Sequence, residues 1–170
     1  MEHLNKTGLD QFKIRTIEEK DNVAMAGIIR TTLEEFGANH PGTVYYDETT
    51  DRLYQLFSQQ PGSVYYVAEF ENEIVGGGGI FPTEGLPADT CELVKMYILK
   101  KARGIGLGKL LIQKALDFAR QAGYKNVYLE TMPELKQALN TYAKFGFKYI
   151  NQPLGNSGHF GCDLWMLKKL

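Results

Sequence analysis

Apolar positions recur along this chain with two different periods, and the switches between them mark out its elements. Met25, Ile28, Ile29, Leu33 and Phe36 return every three or four residues, as on one face of a helix. Asp21 stands where an N-cap belongs and Gly37 where a helix stops, so a helix is predicted from about 21 to 36. A shorter helix follows, with Leu53, Leu56 and Phe57 on one stripe, closed by Pro61-Gly62. Leu107, Leu110, Leu111, Ala115, Phe118 and Ala119 give the most regular stripe, over about 106–122, with Gly123 as its stop. Thr131 and Glu134 have capping-box spacing, with Pro133 between them, and predict a fourth helix running through Phe145 to Gly146. Period-two or continuous apolar runs predict strands at 12–17, 64–70, 74–81, 91–99, 127–131, 147–150 and 162–167. Those at 64–70 and 74–81 read as a hairpin, and 91–99, apolar on both faces, reads as central.

The resulting order is β-α-α-β-β-β-α-β-α-β-β. Strands meet as antiparallel neighbours first, and a single βαβ crossover comes late. This predicts a layered α+β fold (α/β/α): a mixed, mostly antiparallel sheet of six to seven strands flanked by about four helices. No repeat or linker divides the chain, so residues 11–170 read as one domain behind a loose tail at 1–10. A chain of 170 residues buries a sufficient core without disulfides or metals.

Charge narrows the function. Nineteen Lys plus Arg against twenty Asp plus Glu leave a formal net charge of -1, which argues against a nucleic-acid binder. Cys91 and Cys162 each sit in an apolar strand-like run and read as reduced core thiols, with a cross-sheet bridge as the other reading. Neither they nor the three histidines show ligand spacing, so no metal is expected. Met1 to Asp10 is polar, and no apolar run approaches the roughly 20 residues of a membrane span, so a cytoplasmic location without membrane partners is expected.

The strongest chemical signal is Arg103-Gly104-Ile105-Gly106-Leu107-Gly108-Lys109, set between the central strand and the most amphipathic helix. Backbone N–H groups at a helix start have no intrahelical partner and, with the helix dipole, suit a phosphate or diphosphate. Glycines remove the Cβ that would hold the phosphate off, and Arg103 and Lys109 add positive charge. A Walker A loop fails here, since Arg103 takes its first glycine position and Leu110 its Ser/Thr position. A Rossmann fingerprint fails because Lys109 takes its last glycine position and the loop comes late in the chain. A glycine-rich helix entry that binds nothing is the bland alternative.

Arg103, Gly106 and Gly108 match the acyl-CoA loop of the GNAT (Gcn5-related N-acetyltransferase) superfamily, (Gln/Arg)-x-x-Gly-x-(Gly/Ala). Residues 91–98 resemble the family's fourth strand. Residues 138–147 resemble its A-x-x-x-Tyr-x-x-x-Gly-Phe signature, with Tyr142 as the tyrosine. The likeness is good over about 64–150. It departs at Leu135, where many members carry an asparagine that contacts the pantetheine arm. The resemblance implies the acyl-CoA N-acyltransferase fold and transfer of acetyl from acetyl-CoA, a co-substrate, to a small-molecule or peptide amine by direct attack. It implies a pantetheine arm paired with Met96, Tyr97 and Ile98, and a diphosphate on the amides of Gly104, Ile105, Gly106, Leu107, Gly108 and Lys109. A homodimer, common among similar proteins, stays open. An acyl-CoA sensor without catalysis is the competing function, and a nucleotide-phosphate binder of another fold is a third.

Two side chains are singled out for chemistry. Tyr142 matches a tyrosine that lies near the CoA sulfur and protonates the leaving thiolate; it also reads as a core aromatic in line with Leu135 and Leu139. Glu92 sits eleven residues before the loop arginine, where the histone-acetylating branch has its base. Alternation places it on one face with Val94, Met96 and Ile98, where an unpaired carboxylate has a raised pKa. A solvated or ion-paired glutamate, with water relaying the proton, is the alternative. His159 and His40 read as loop histidines that could face the acceptor. Tyr45, Tyr46, Asp47, Asn156 and Ser157 lie in the two loops where selectivity is expected, and Asp47 could attract a cationic acceptor. The glycine run 76–79 reads either as room for a close approach or as a bulge.

Overall fold

A computed structural model describes residues 8–170. Most of the 1–10 tail therefore lies outside the described residues; Gly8–Gln11 forms a 3-10 turn. The strands are β1 (Lys13–Thr16), β2 (Val64–Phe70), β3 (Glu73–Phe81), β4 (Thr90–Ile98), β5 (Asn126–Thr131), β6 (Lys148–Ile150) and β7 (Leu164–Lys169). The helices are α1 (Asn22–Glu35), α2 (Leu53–Ser58), α3 (Leu107–Gln121) and α4 (Lys136–Lys144). All seven strands form one sheet in the order β1-β2-β3-β4-β5-β7-β6. Only β4 and β5 run parallel; every other neighbouring pair is antiparallel. This is the mixed sheet with four helices that the apolar pattern predicts.

The two faces of the sheet carry separate cores. One gathers Met25, Ile29 and Leu33 of α1 with Leu53, Phe57 and Tyr65. The other gathers Ile112, Ala115, Leu116 and Ala119 of α3 with Tyr142 of α4 and Met166 of β7. Cys162 belongs to the first and Cys91 to the second; both are free and buried. No helix of the described residues is long and apolar enough to cross a membrane.

The hairpin joining β2 and β3 turns on Glu71 and Asn72, both at positive φ (50° and 66°), the conformation a two-residue primed turn requires. The glycine run 76–79 serves packing. A Cβ on Gly78 would meet the Met96 side chain at 2.2 Å, and one on Gly79 the Val64 carbonyl oxygen at 2.4 Å. The run therefore gives its space to neighbours inside the sheet rather than to a ligand.

Two helix starts differ from the sequence reading. Asp21 holds the N-cap place of α1 but makes no cap bond to its backbone. Its carboxylate takes both Arg15 guanidinium nitrogens, at 2.7 and 2.9 Å, and the Glu18 N–H at 2.8 Å. An arginine fork offers two charge-assisted bonds where a cap offers one. The Thr131–Glu134 capping box does not form either: 132–135 makes a separate turn closed by Leu135 N–H to Met132 O, and α4 starts only at Lys136. Strand ends elsewhere fall within two residues of expectation, as at β7, which begins at Leu164 rather than 162.

Candidate active site

β4 and β5 pair only at Thr90–Asn126, Cys91–Val127 and Glu92–Tyr128. Beyond Glu92 the two parallel strands splay, and a cleft of about 490 Å³ opens between them. Its walls come from Leu93 to Ile98 without Val94, from α4 with Tyr142, and from the loop with Arg103, Gly104, Gly106, Gly108 and Lys109. The splay follows from β4 itself. Gly77 pairs with Tyr97 but Gly79 with Val94, so β4 carries one extra residue there. Lys95 sits in that bulge at φ 52°, a left-handed conformation uncommon for a lysine. The hydroxyl of Tyr65, a fully buried residue, donates to the Lys95 carbonyl at 2.7 Å and pins the bulge.

The bulge corrects the facing expected for Glu92. Strict alternation would put it with Met96 and Ile98. The extra residue turns Met96 and Ile98 toward α3, while Val94 and Tyr97 pack with the α1 side. Glu92 therefore shares a face with Val94 but not with Met96 or Ile98.

At the mouth of α3 the N-cap is Gly106, in left-handed conformation (φ 92°), with no side chain capping the helix. The first helical bond is Leu110 N–H to Gly106 O, and the amides of 104–109 have no acceptor among the described residues. A Cβ on Gly104 would meet nothing within 4 Å, so the loop presents bare backbone. The Leu107 side chain is core, and Ile105 is largely exposed, so these two contribute amides only. Arg103 is differently employed than a free phosphate ligand. Its Nε donates to Ile98 O at 2.8 Å, its two terminal nitrogens to the Glu35 carboxylate at 2.7 and 2.9 Å, and it lies over the Phe36 ring. It fastens the loop to β4 and α1 while lining the cleft. Leu135 also lines the cleft.

Tyr142 sits at once in the core and on the cleft wall. Its ring packs edge-on against Phe147 at 5.9 Å in the core, and it also lines the cleft. Burial pushes its hydroxyl up to about 12, so it holds its proton at neutral pH. On α1, Thr32 lines the same cleft with a buried hydroxyl that has no hydrogen-bond partner among the described residues.

Beyond the splay lies a buried polar cluster. Glu92 is 3% exposed. Burial, then the nearby Glu130 charge, push its carboxyl up to about 8, and its one hydrogen bond comes from Thr83 Oγ1 at 3.3 Å. Glu92 is not on the cleft wall; Lys95 and Glu130 are. Glu130 accepts from Tyr128 OH at 2.7 Å and from Ser157 Oγ. His159 Nε2 lies 2.8 Å from Asp47 Oδ2, and its Nδ1 lies 4.0 Å from Glu130 Oε1. The His159 bond, then Lys95, hold the Asp47 carboxyl far below the usual carboxylate range. The Lys95 ammonium is 4.0 Å from Asp47 Oδ2, and burial lowers its pKa.

The structure thus gathers Glu92, Asp47 and the Ser157–His159 loop from three distant stretches of chain. His40 stays outside the cluster: its backbone carbonyl accepts from Thr43 Oγ1 at 2.8 Å. The Tyr45 hydroxyl donates to Glu34, Tyr46 is exposed, and the Asn156 N–H binds Glu84 O at 2.7 Å. Sequence reasoning missed Lys95, Glu130, Tyr128 and Thr83. Lys95 carried a signal, a lone cation in the central strand. The others showed none, because ordinary strand alternation accounts for them.

A profile of the Acetyltransferase (GNAT) family matches residues 28–147. The chain is 44% identical over 158 residues, 92% of its own length and 94% of the relative's, to the uncharacterized N-acetyltransferase YjgM of Escherichia coli (strain K12). Among solved structures it is similar to a GNAT-family acetyltransferase from Staphylococcus aureus Mu50, with a TM-score of 0.83 at 18% identity over 94% of this chain and 99% of that one. It is also similar to yncA from Salmonella typhimurium, solved with its cofactor acetyl-CoA, with a TM-score of 0.73 at 20% identity over 94% of both chains. The splayed parallel pair, the uncapped glycine helix mouth and the family match agree: the chain belongs to the GNAT family and is an N-acetyltransferase.

Proposed function

We propose that the cleft holds acetyl-CoA with its diphosphate on the amides of 104–109 and its pantetheine arm along Met96, Tyr97 and Ile98. The observation that carries this reading is the row of unpartnered amides at a helix mouth with no Cβ in the way. The orphaned Thr32 hydroxyl on the opposite wall offers one more polar contact. The acetyl-CoA carried by yncA supports the same occupant.

Acetyl transfer requires a neutral amine, an attack geometry and a protonated leaving group. In this reading the acceptor enters from the polar cluster, opposite the CoA side. Its ammonium proton passes through the cluster to Glu92, which lies behind Lys95 and Glu130. The freed nitrogen bonds the acetyl carbon and sheds a second proton to solvent, the carbon–sulfur bond breaks, and Tyr142 donates its proton to the departing thiolate. Two buried thiols suit a reducing compartment, and we place the protein in the cytoplasm.

Thiol release from acetyl-CoA over a panel of amines tests the activity. Saturable CoA binding with no turnover on any amine would support the sensor instead. Gly106→Val that bound CoA as the wild type does would overturn the loop assignment.

A further inference from the structure

Among the described residues, Lys95 is the cleft-lining cation that belongs to β4, and its side chain is only 6% exposed. An ammonium carries three donors and no acceptor. Nζ makes no hydrogen bond among the described residues, and its nearest carboxylate oxygen, Asp47 Oδ2, is 4.0 Å away. The carboxylates around it are already engaged. Asp47 takes His159 on one oxygen and the Thr49 N–H and hydroxyl on the other. Glu130 takes Tyr128 and Ser157, and Glu92 takes Thr83. An ammonium on a largely buried side chain without protein hydrogen bonds is costly, and here a left-handed bulge, pinned by Tyr65, holds it in place.

We infer that Lys95 anchors the carboxylate of the acceptor, so that the acceptor is an α-amino acid. This rests on the acetyl-transfer reading above and names the substrate class for it. The diphosphate cannot be the anion in question, because its amides begin nine residues later, past the far end of β4. The wall also carries both signs of charge. Lys95 faces the carboxylate while Glu130, on the same wall, faces the neighbouring ammonium, a pairing that matches a zwitterion better than a simple amine. The chemistry balances as an ordinary N-acetylation. The ammonium passes one proton through the cluster to the Glu92 carboxylate, nitrogen bonds the acetyl carbon and sheds its second proton to solvent, and the carbon–sulfur bond breaks. The thiolate takes the Tyr142 proton, and Tyr142 and Glu92 exchange the difference with solvent.

The test compares L-α-amino acids with their α-carboxamides as acceptors, using wild type, Lys95→Met and Lys95→Arg. The wild type is expected to favour acids over amides in kcat/KM by at least about 30-fold, the scale of a buried charge pair. Lys95→Met should abolish that preference by raising KM for the acids. It should leave acetyl-CoA affinity and KM for the amides within about twofold, since the amide has no charge to lose. Lys95→Arg should restore part of the preference. Equal use of acids and amides by the wild type overturns the anchor and leaves acetyl transfer standing, as does a Lys95→Met loss that is the same for both series. Turnover of neither series by a chain that binds acetyl-CoA also overturns the inference. Failure to bind acetyl-CoA would instead strike the reading on which it rests.

Discussion

In the proposed mechanism two titratable side chains divide the proton work, and burial shifts both. Tyr142 stays protonated up to about 12 because its hydroxyl is enclosed by core, which suits a donor. Tyr142→Phe is expected to lower kcat by about 100-fold while the Kd for acetyl-CoA stays within about twofold; unchanged turnover would remove the role. Glu92, raised to about 8, is neutral below that pH and accepts a proton only when ionised. The kcat/KM profile should therefore rise with pH through about 8 and level above it. In Glu92→Gln that limb should vanish, and an unaltered profile would assign the proton to solvent. Tyr142 and Glu92 were legible as candidates because motif and strand position named them. Lys95 as a cation on the cleft wall was not, since nothing in a linear pattern announces a bulge.

The bulge is the element on which the site turns. One extra residue in β4 separates Glu92 and Val94 from Met96 and Ile98, opens the gap to β5 and presents Lys95. Tyr65 is 1% exposed, and its hydroxyl satisfies the Lys95 carbonyl. Tyr65→Phe should cost about 1–2 kcal/mol of stability, read as a lower denaturation midpoint, because it leaves that carbonyl without a partner. It should also lower activity more than its stability loss explains, since the bulge loosens. At the α3 mouth, Gly106→Val meets two penalties: φ 92° strains any L side chain, and the added carbons crowd Leu9, 3.5 Å from where a Cβ would stand, so the loop backbone must shift. Calorimetric titration should show CoA binding weakened by at least about tenfold, the loss of a phosphate contact.

For the whole molecule, buried charge sets the pH range of stability. Asp47 and Asp21 have lowered pKa values, so they contribute stability that is present above their unfolded value near 3.8 and is lost as pH falls below it. Glu92 has the opposite sign. Its unfolded form ionises near 4.5 and its folded form near 8, so folding takes up a proton across that window and stability falls as pH rises through it. Denaturant unfolding should therefore show Glu92→Gln gaining on the wild type steadily from pH 5 to pH 8. A constant difference would mean that Glu92 is already ionised in the fold. A carboxyl kept neutral by burial thus costs the fold stability as pH rises toward 8.

The strand and helix succession, the mixed sheet, the glycine loop and Tyr142 were all readable from the amino-acid order. Each rests on local periodicity or on spacing within one stretch of chain, and both survive without knowledge of what lies opposite. Where Thr131 and Asp21 were read as caps, the answer depended on partners: Arg15 offers Asp21 more than its own helix does, and the residues after Thr131 close a turn of their own. The facing of Glu92, the engagement of Arg103 with Glu35, and the meeting of Asp47, Lys95, Glu130 and His159 were decided only by the tertiary structure. Those depend on register and on loops brought together across the sheet. A single bulge shifts a strand's faces by one residue without altering its hydrophobic pattern enough to betray it.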